Sequence, residues 1–276
     1  MLTLADASSY FDRTPILDAD TGATLFYGQV DPYQDAIRDS ATAYRRILSV
    51  KPGTAIPTKR AVRIFGSTWL VGVSELDGHA SAHREKYVLH PAPSTLAVTS
   101  LSGYVSGAAP VNNFGDMIWL KDGKEDASSS RAVPMLTAYL SSTAALAEYD
   151  VVKVGSQGYL AMPPHLQASG VLSATCSRLE YAPVDATLST RTYDPVQGKY
   201  TATVNTTVKC LRVRWQTLFL YGSQGDAKYQ EGDCSLVLPA GTVLATKDTL
   251  TLSGQTWSIL AVEGLGGAVV AHARRA

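Results

Sequence analysis

The sequence predicts a mostly β protein made of three tandem small domains, each a β-barrel or β-sandwich, with short helices in the connecting loops. The 22 Gly and 13 Pro are spread through a chain rich in Thr, Val, Ser and Tyr, which favours short strands separated by turns. One segment recurs three times, and proline-containing joints lie between the copies. A chain of 276 residues is long enough for three domains of roughly 90 residues each.

The recurring segment is clearest when the first and third copies are compared. Residues 53–71 read GTAIPTKRAVRIFGSTWLV and residues 241–259 read GTVLATKDTLTLSGQTWSI, with seven of 19 positions identical and no gap. Chance would give about one or two identities. Residues 143–161, TAALAEYDVVKVGSQGYLA, keep the pattern with fewer identities. The alternative is a chance resemblance between unrelated hairpins. This alternative has more weight for the middle copy than for the first and third copies.

Each copy is predicted to form a β-hairpin. Two apolar residues flank a polar one, and this alternation has the period of a half-buried strand. A small turn with Gly follows, and an aromatic residue opens the next strand. Tight hairpin turns need positive φ, and Gly supplies it. Large aromatic side chains bury the most apolar area. We therefore predict three equivalent core anchors: Trp69, Tyr159 and Trp257.

An opening hairpin is predicted for the first and third domains, because Asp18 to Gly22 and Asp194 to Gly198 both read Asp-x3-Gly between strand-like segments. In residues 201–215 the apolar alternation shifts after Cys210, which predicts a β-bulge. Proline-containing joints near residues 90–93 and 181–183 predict domains 1–92, 93–182 and 183–276. Longer and less regular stretches are expected at residues 28–44, 103–131 and 216–232.

Charge and chemical motifs favour a structural role over catalysis. The 24 basic and 24 acidic residues cancel, so the general attraction to nucleic acid or to membrane surfaces is missing. Asp20 begins a DTGA tetrapeptide like that of aspartic proteases, but no apolar strand precedes it, which predicts a turn. Residues 264–267, GLGG, are followed by a strand-like run and also predict a turn.

Metal and cofactor chemistry is not expected. His79 and His83 are four residues apart with Glu85 and His90 nearby, but no HExxH pattern accompanies them. Cys176, the first of three widely separated cysteines, belongs to neither a disulfide framework nor a metal knuckle, and the same holds for the other two. We predict no enzyme, no cofactor, no metal and no membrane span or export signal.

The third domain resembles the head-completion or stopper proteins of tailed bacteriophages. Those proteins open with a YD-x-x-x-G hairpin, as residues 193–198 do, and carry D-x-L-x-x-x-G-x-x-W-x-V near their end. About 80 residues carry the likeness, and the other two domains are reached only through the repeat. The matching residues of the second motif are Asp248, Leu250, Gly254, Trp257 and Ile259.

The resemblance implies a small barrel that assembles into a hexameric or dodecameric ring in the virion. Such a ring would connect the portal or adaptor proteins of the head to the tail and would hold genomic DNA transiently in its lumen. The resemblance also implies assembly in the cytoplasm of the bacterial host and no membrane partner. Channel or interface loops are expected at Arg38, Arg45, Arg46, Asp116, Lys121, Lys124, Gln224 and Lys228.

Three other functional classes are alternative interpretations of the same sequence, each with less support than a neck protein. The chain could be another virion component, such as a tail-tube, tail-terminator or capsid-decoration protein. A carbohydrate-binding β module would need an exposed aromatic platform, whereas Trp69 and Trp257 lie at apolar hairpin positions. A hydrolase would rest on Asp20 to Gly22 alone.

Overall fold

The computed structural model describes residues 14–32, 45–57, 61–74, 84–119, 135–194, 196–214 and 232–276. Within these ranges the chain forms nineteen strands and one short helix, so the mostly β prediction is confirmed. The strands group into three antiparallel sheets in chain order. The three sheets lie within residues 14–91, 94–178 and 184–275.

The first sheet is a closed barrel of six strands in the order β1-β2-β3-β6-β5-β4. Pairing of the first strand with the fourth closes it. Its core is the cluster that contains Ile16, Leu48 and Leu89. The strands are β1 Thr14–Asp18, β2 Thr24–Pro32, β3 Arg46–Val50, β4 Ala61–Ile64, β5 Ser67–Ser74 and β6 Glu85–Pro91.

The middle sheet has seven strands, and six of them close into a second barrel because β11 pairs with both β10 and β13. The helix α1 connects the first two strands and starts after Ser100, whose Oγ accepts a hydrogen bond from the Gly103 N–H (3.1 Å). The elements are β7 Ser94–Thr99, α1 Leu101–Ser106, β8 Val111–Trp119, β9 Met135–Ser141, β10 Val151–Val154, β11 Gln157–Ala161, β12 His165–Leu166 and β13 Val171–Arg178.

The third sheet is again a closed barrel of six strands, ordered β14-β15-β16-β19-β18-β17. Its strands are β14 Val184–Asp194, β15 Lys199–Arg214, β16 Cys234–Leu238, β17 Thr249–Leu252, β18 Gln255–Leu265 and β19 Ala268–Arg275. In all three barrels the first strand pairs with the second and the fourth, and the third strand pairs with the last. The prediction of three tandem β-barrels is therefore confirmed.

The repeated hairpin turns at two residues in each barrel, not at the four that the sequence suggested. Phe65 and Gly66 both have positive φ (50° and 79°), and so do Ser253 and Gly254 (50° and 75°). Positive φ at both turn positions is the geometry of a type I′ turn, which follows the right-handed twist of the strands. In the middle barrel the glycine comes first instead, at Gly155 (φ 59°).

Three further sequence predictions can be compared with the structure. The opening hairpins form, with Gly22 and Gly198 at positive φ (72° and 63°), and the segment 264–267 turns at its last two residues, Gly266 and Gly267, between β18 and β19. The bulge predicted after Cys210 is wrong. The register of β14 with β15 shifts between Arg191 and Tyr193, while the pairs from Arg191 to Val184 are regular.

The apolar shift after Cys210 has a different cause. Cys210 faces the core of the third barrel, whereas Leu211 and Val213 face a cluster shared with the middle barrel. Both faces of β15 are therefore buried where it switches partner from β14 to β16. The stretch 103–131 is also more regular than predicted, because it contains most of α1 and all of β8.

Candidate functional site

The three predicted anchor residues occupy one position of the barrel. Trp69 lies opposite Val62, Tyr159 opposite Val152, and Trp257 opposite Leu250, each in the second strand of the repeated hairpin. All three contact the apolar core of their own barrel. The register therefore places the three aromatics at equivalent positions of the three barrels.

Their burial differs between the barrels. Trp257 is 2% exposed, whereas Trp69 and Tyr159 are half-buried at the core margin. The indole N–H groups of Trp69 and Trp257 are buried and have no acceptor among the described residues. These rings fill cores and do not form the exposed platform on which a sugar would stack.

The middle and third barrels also share an aspartate at an equivalent position, just before the repeated hairpin. Asp150 Oδ2 accepts a hydrogen bond from the Ala147 N–H (2.8 Å), and Asp248 Oδ2 accepts one from the Ala245 N–H (2.7 Å). In both turns the aspartate N–H also donates to the carbonyl of the same alanine. The shared Ala-x-x-Asp spacing is visible in the sequence, although the repeat comparison passed over it.

The middle and third barrels are joined by an apolar interface. Leu101 and Val105 of α1 pack with Leu211, Val213 and residues of β16 and β19. The Ser102 Oγ accepts a hydrogen bond from the Ala240 N–H (2.8 Å) across this interface. Since the cluster draws on both barrels, neither face is left exposed to water.

Gly266 lies at a close approach between the two barrels. A Cβ atom on Gly266 would lie 2.9 Å from the Cβ of Tyr149 and 3.5 Å from that of Leu101. On β15, the guanidinium of Arg212 lies 4.9 Å from the ring centroid of Trp257 and 5.1 Å from that of Tyr181. Arg212 thus ties the joint between the barrels to the third core through two cation–π contacts.

The first and middle barrels meet in a smaller apolar cluster. Ala19, Ala61, Leu70 and Ala92 of the first barrel pack with Val171 of the second. The backbone also comes close, since a Cβ on Gly72 would overlap the carbonyl oxygen of Ser169. The two contact regions make the three barrels one continuous packed body.

Two of the predicted channel or interface residues meet at this first interface. Arg45, just before β3, and Asp116, within β8, line one small cavity with His90. Asp116 was expected in a loop, but it lies in a strand because β8 begins at Val111. Burial raises the pKa of the Asp116 carboxyl, although its hydrogen bond with the Met117 backbone lowers it.

His90 is the most perturbed group in this cavity. It is 4% exposed, and its Nε2 has no hydrogen-bond partner among the described residues. Burial, followed by the positive charge of Arg45, lowers the pKa of His90 to about 3 from the ordinary 6.5. The imidazole is therefore neutral at pH 7 in the folded chain.

The remaining channel or interface residues are placed by chain position. Arg46 begins β3 and is exposed. The others lie outside the described residues, in the connections between the second and third strands of the three barrels. They are Arg38, Lys121, Lys124, Gln224 and Lys228.

The sequence comparison did not predict a row of three hydrogen-bonded side chains on the third barrel. His272 Nδ1 is 3.3 Å from Ser235 Oγ, and its Nε2 is 2.9 Å from Glu263 Oε1. The residue types match a Ser-His-Glu triad, yet the Ser235 side chain is fully buried (0% exposed) on its strand. An ester or amide could not reach Ser235 Oγ in this conformation.

A bidentate ion pair joins β19 to the residue that precedes β16. Arg274 Nε and Nη2 each lie 2.9 Å from one carboxylate oxygen of Asp233. This parallel geometry is the strong form of an Arg–carboxylate contact. The two residues are 41 positions apart in the chain and are brought together by the pairing of β16 with β19, so no local sequence pattern predicts their contact.

The cysteines are buried free thiols. Burial raises the pKa of Cys176 and of Cys210 to about 12 and that of Cys234 to about 11. For Cys234 the nearby Arg212 opposes the effect of burial. Such thiols are poor nucleophiles at neutral pH because the thiolate is hardly populated.

Only some of the residues that suggested enzymatic or metal chemistry lie in the described part of the chain. Asp20 is exposed in the β1–β2 turn, at the rim of a groove of about 240 Å³ between the first two barrels. His79 and His83 lie outside the described residues. The described residues contain no group of three His, Cys, Asp or Glu side chains that could hold a metal ion.

Comparison with known proteins gives no relative: no family model, no curated protein and no solved structure matches this chain. In the parts of the chain that the structure describes, no helix is both long and apolar enough to span a membrane.

Proposed function

We propose that this chain is a structural protein of the neck of a tailed bacteriophage. In this proposal, copies of the chain form a ring that connects the portal to the tail and lines the channel for DNA. The observation that carries it is the coincidence between the stopper-like motif and the hairpin that closes the third barrel. Each residue of that motif has a structural part in the barrel.

The motif residues divide into core and turn. Leu250, Trp257 and Ile259 are buried in the core of the third barrel. Gly254 adopts the positive φ of the turn (75°), and Asp248 accepts the Ala245 N–H. The residues of this motif therefore maintain the barrel fold, and the same barrel topology occurs three times in the chain.

Two properties of the chain fit a channel ring. The apolar contacts between neighbouring barrels favour a rigid column over three freely jointed domains. The formal net charge of zero avoids a strong grip on phosphates, which suits a channel through which DNA slides.

Labelling of phage particles tests this proposal. Gold-conjugated antibody against the chain should bind at one vertex of each particle, where the head meets the tail. Label spread over the shell would indicate a capsid-decoration protein. Label along the tail would indicate a tail component, and particles without label would contradict a virion role altogether.

A further inference from the structure

The first two strands of the third barrel are longer than the first two strands of the other barrels. Its strand β14 has 11 residues, whereas β1 has five and β7 has six. Its strand β15 has 16 residues, whereas β2 and β8 have nine each. At about 3.3 Å per residue, the additional strand length adds roughly 20 Å.

The added length is not used to close the barrel. β17 pairs only with residues 187–189 of β14, and β16 pairs only with residues 211–214 of β15. Residues 199–210 of β15 pair with β14 on one side. On the other side this segment pairs with no strand in the described part of the chain. We call residues 203–208 of this open side the β15 edge.

The β15 edge lacks the features that normally protect an open strand. It reads TVNTTV, with no charged residue and no proline, and its β-branched residues favour extended structure. Residues 203–207 are exposed, including Val204 at 59%. The β14–β15 register is regular throughout these six residues, so no bulge turns the edge away.

We propose that the β15 edge pairs with a strand edge of a second copy of this chain. This pairing rests on the proposed ring, and it identifies the surface through which the subunits of the ring associate. An uncharged edge on a chain with zero net charge meets no electrostatic repulsion from its own copy. The alternating N–H and C=O groups of the edge gain partners, and Val204 loses exposed apolar area.

Charge placed on the β15 edge tests the pairing. In the double variant Val204→Lys and Thr206→Lys, like charges would face the neighbouring strand. The matched control is Val243→Lys with Val262→Lys, which adds the same charge at exposed positions of the same barrel, 85% and 37% exposed. Native mass spectrometry of the full chain over a concentration series measures assembly, and circular dichroism checks folding.

The edge variant should need about tenfold more protein to assemble than the wild type, while the control assembles like the wild type. Equal assembly of both variants would overturn the edge pairing and leave the ring proposal standing. A wild-type chain that stays monomeric would overturn both. A closed dimer that the edge variant abolishes would support the pairing and contradict the ring.

Hydrogen exchange of the wild type gives a second reading that does not depend on a variant. Backbone amides of residues 203–208 should exchange more slowly in the assembled chain than in the dilute chain. Unchanged exchange in the assembled chain would overturn the inference.

Discussion

Trp257 illustrates how single residues hold each barrel. Its ring is 2% exposed and contacts the core on one side and the Arg212 guanidinium on the other. Its neighbours come from several strands of the barrel. Removal of the ring would therefore leave a cavity that no single strand could fill.

The Trp257→Ala variant should lower the free energy of unfolding by about 3 to 5 kcal/mol. Urea denaturation followed by circular dichroism measures this. Leu260→Ala is the matched control, because Leu260 lies on the same strand but is 40% exposed, and its truncation should cost less than about 0.5 kcal/mol. Equal costs for the two variants would show that Trp257 is not a core anchor.

His90 makes stability depend on pH. Its folded pKa of about 3 lies below the ordinary value of 6.5, so the unfolded chain binds the proton more readily between these values. Stability is therefore full above about pH 6.5 and falls as the pH drops towards 3, by roughly 2 kcal/mol at pH 5. Asp116 acts with the opposite sign, since its raised pKa favours protonation in the folded state.

Replacement of His90 by Gln should flatten the decline in unfolding free energy between pH 7 and pH 5. His165→Gln is the control, because His165 is exposed on β12. The slope of unfolding free energy against pH is the measurement, since an overall loss of stability would not alter it. A slope for His90→Gln that equals the wild-type slope would exclude His90 as the source.

At the scale of elements, local chemistry was predictable and distant partners were not. The hairpin turns could be read because Gly66 and Gly254 satisfy a requirement for positive φ within two residues. The bulge after Cys210 was wrong because Leu211 is covered by Leu101 and Val105, over 100 residues earlier in the chain. Apolar alternation within one strand cannot show that a second barrel covers its outer face.

The contact between the middle and third barrels can be tested within one turn. Gly266 and Gly267 both have positive φ (54° and 71°), so alanine strains the backbone at either position. Only at Gly266 would the new Cβ meet Tyr149. Gly266→Ala should therefore cost about 1 to 3 kcal/mol more than Gly267→Ala in urea denaturation. Equal costs would mean that the two barrels do not pack closely at this turn.

At the scale of the whole molecule, repetition was the most informative feature of the sequence. Seven identities in 19 positions predicted that the first and third domains share one fold, and the weaker middle copy predicted that the second domain shares it too. The contacts Asp233–Arg274 and Glu263–His272 gave no sequence signal, because strand register alone brings them together. The ring and its place in the neck stay proposals, supported by the stopper-like motif and by the packing of the barrels.

Cryo-electron microscopy of the purified full chain is the sharpest test of the proposed ring. We expect closed rings of six or twelve copies, in which three barrels of one topology follow one another in each subunit and Trp69, Tyr159 and Trp257 occupy matching positions. Isolated monomers at every concentration, or open filaments, would contradict it.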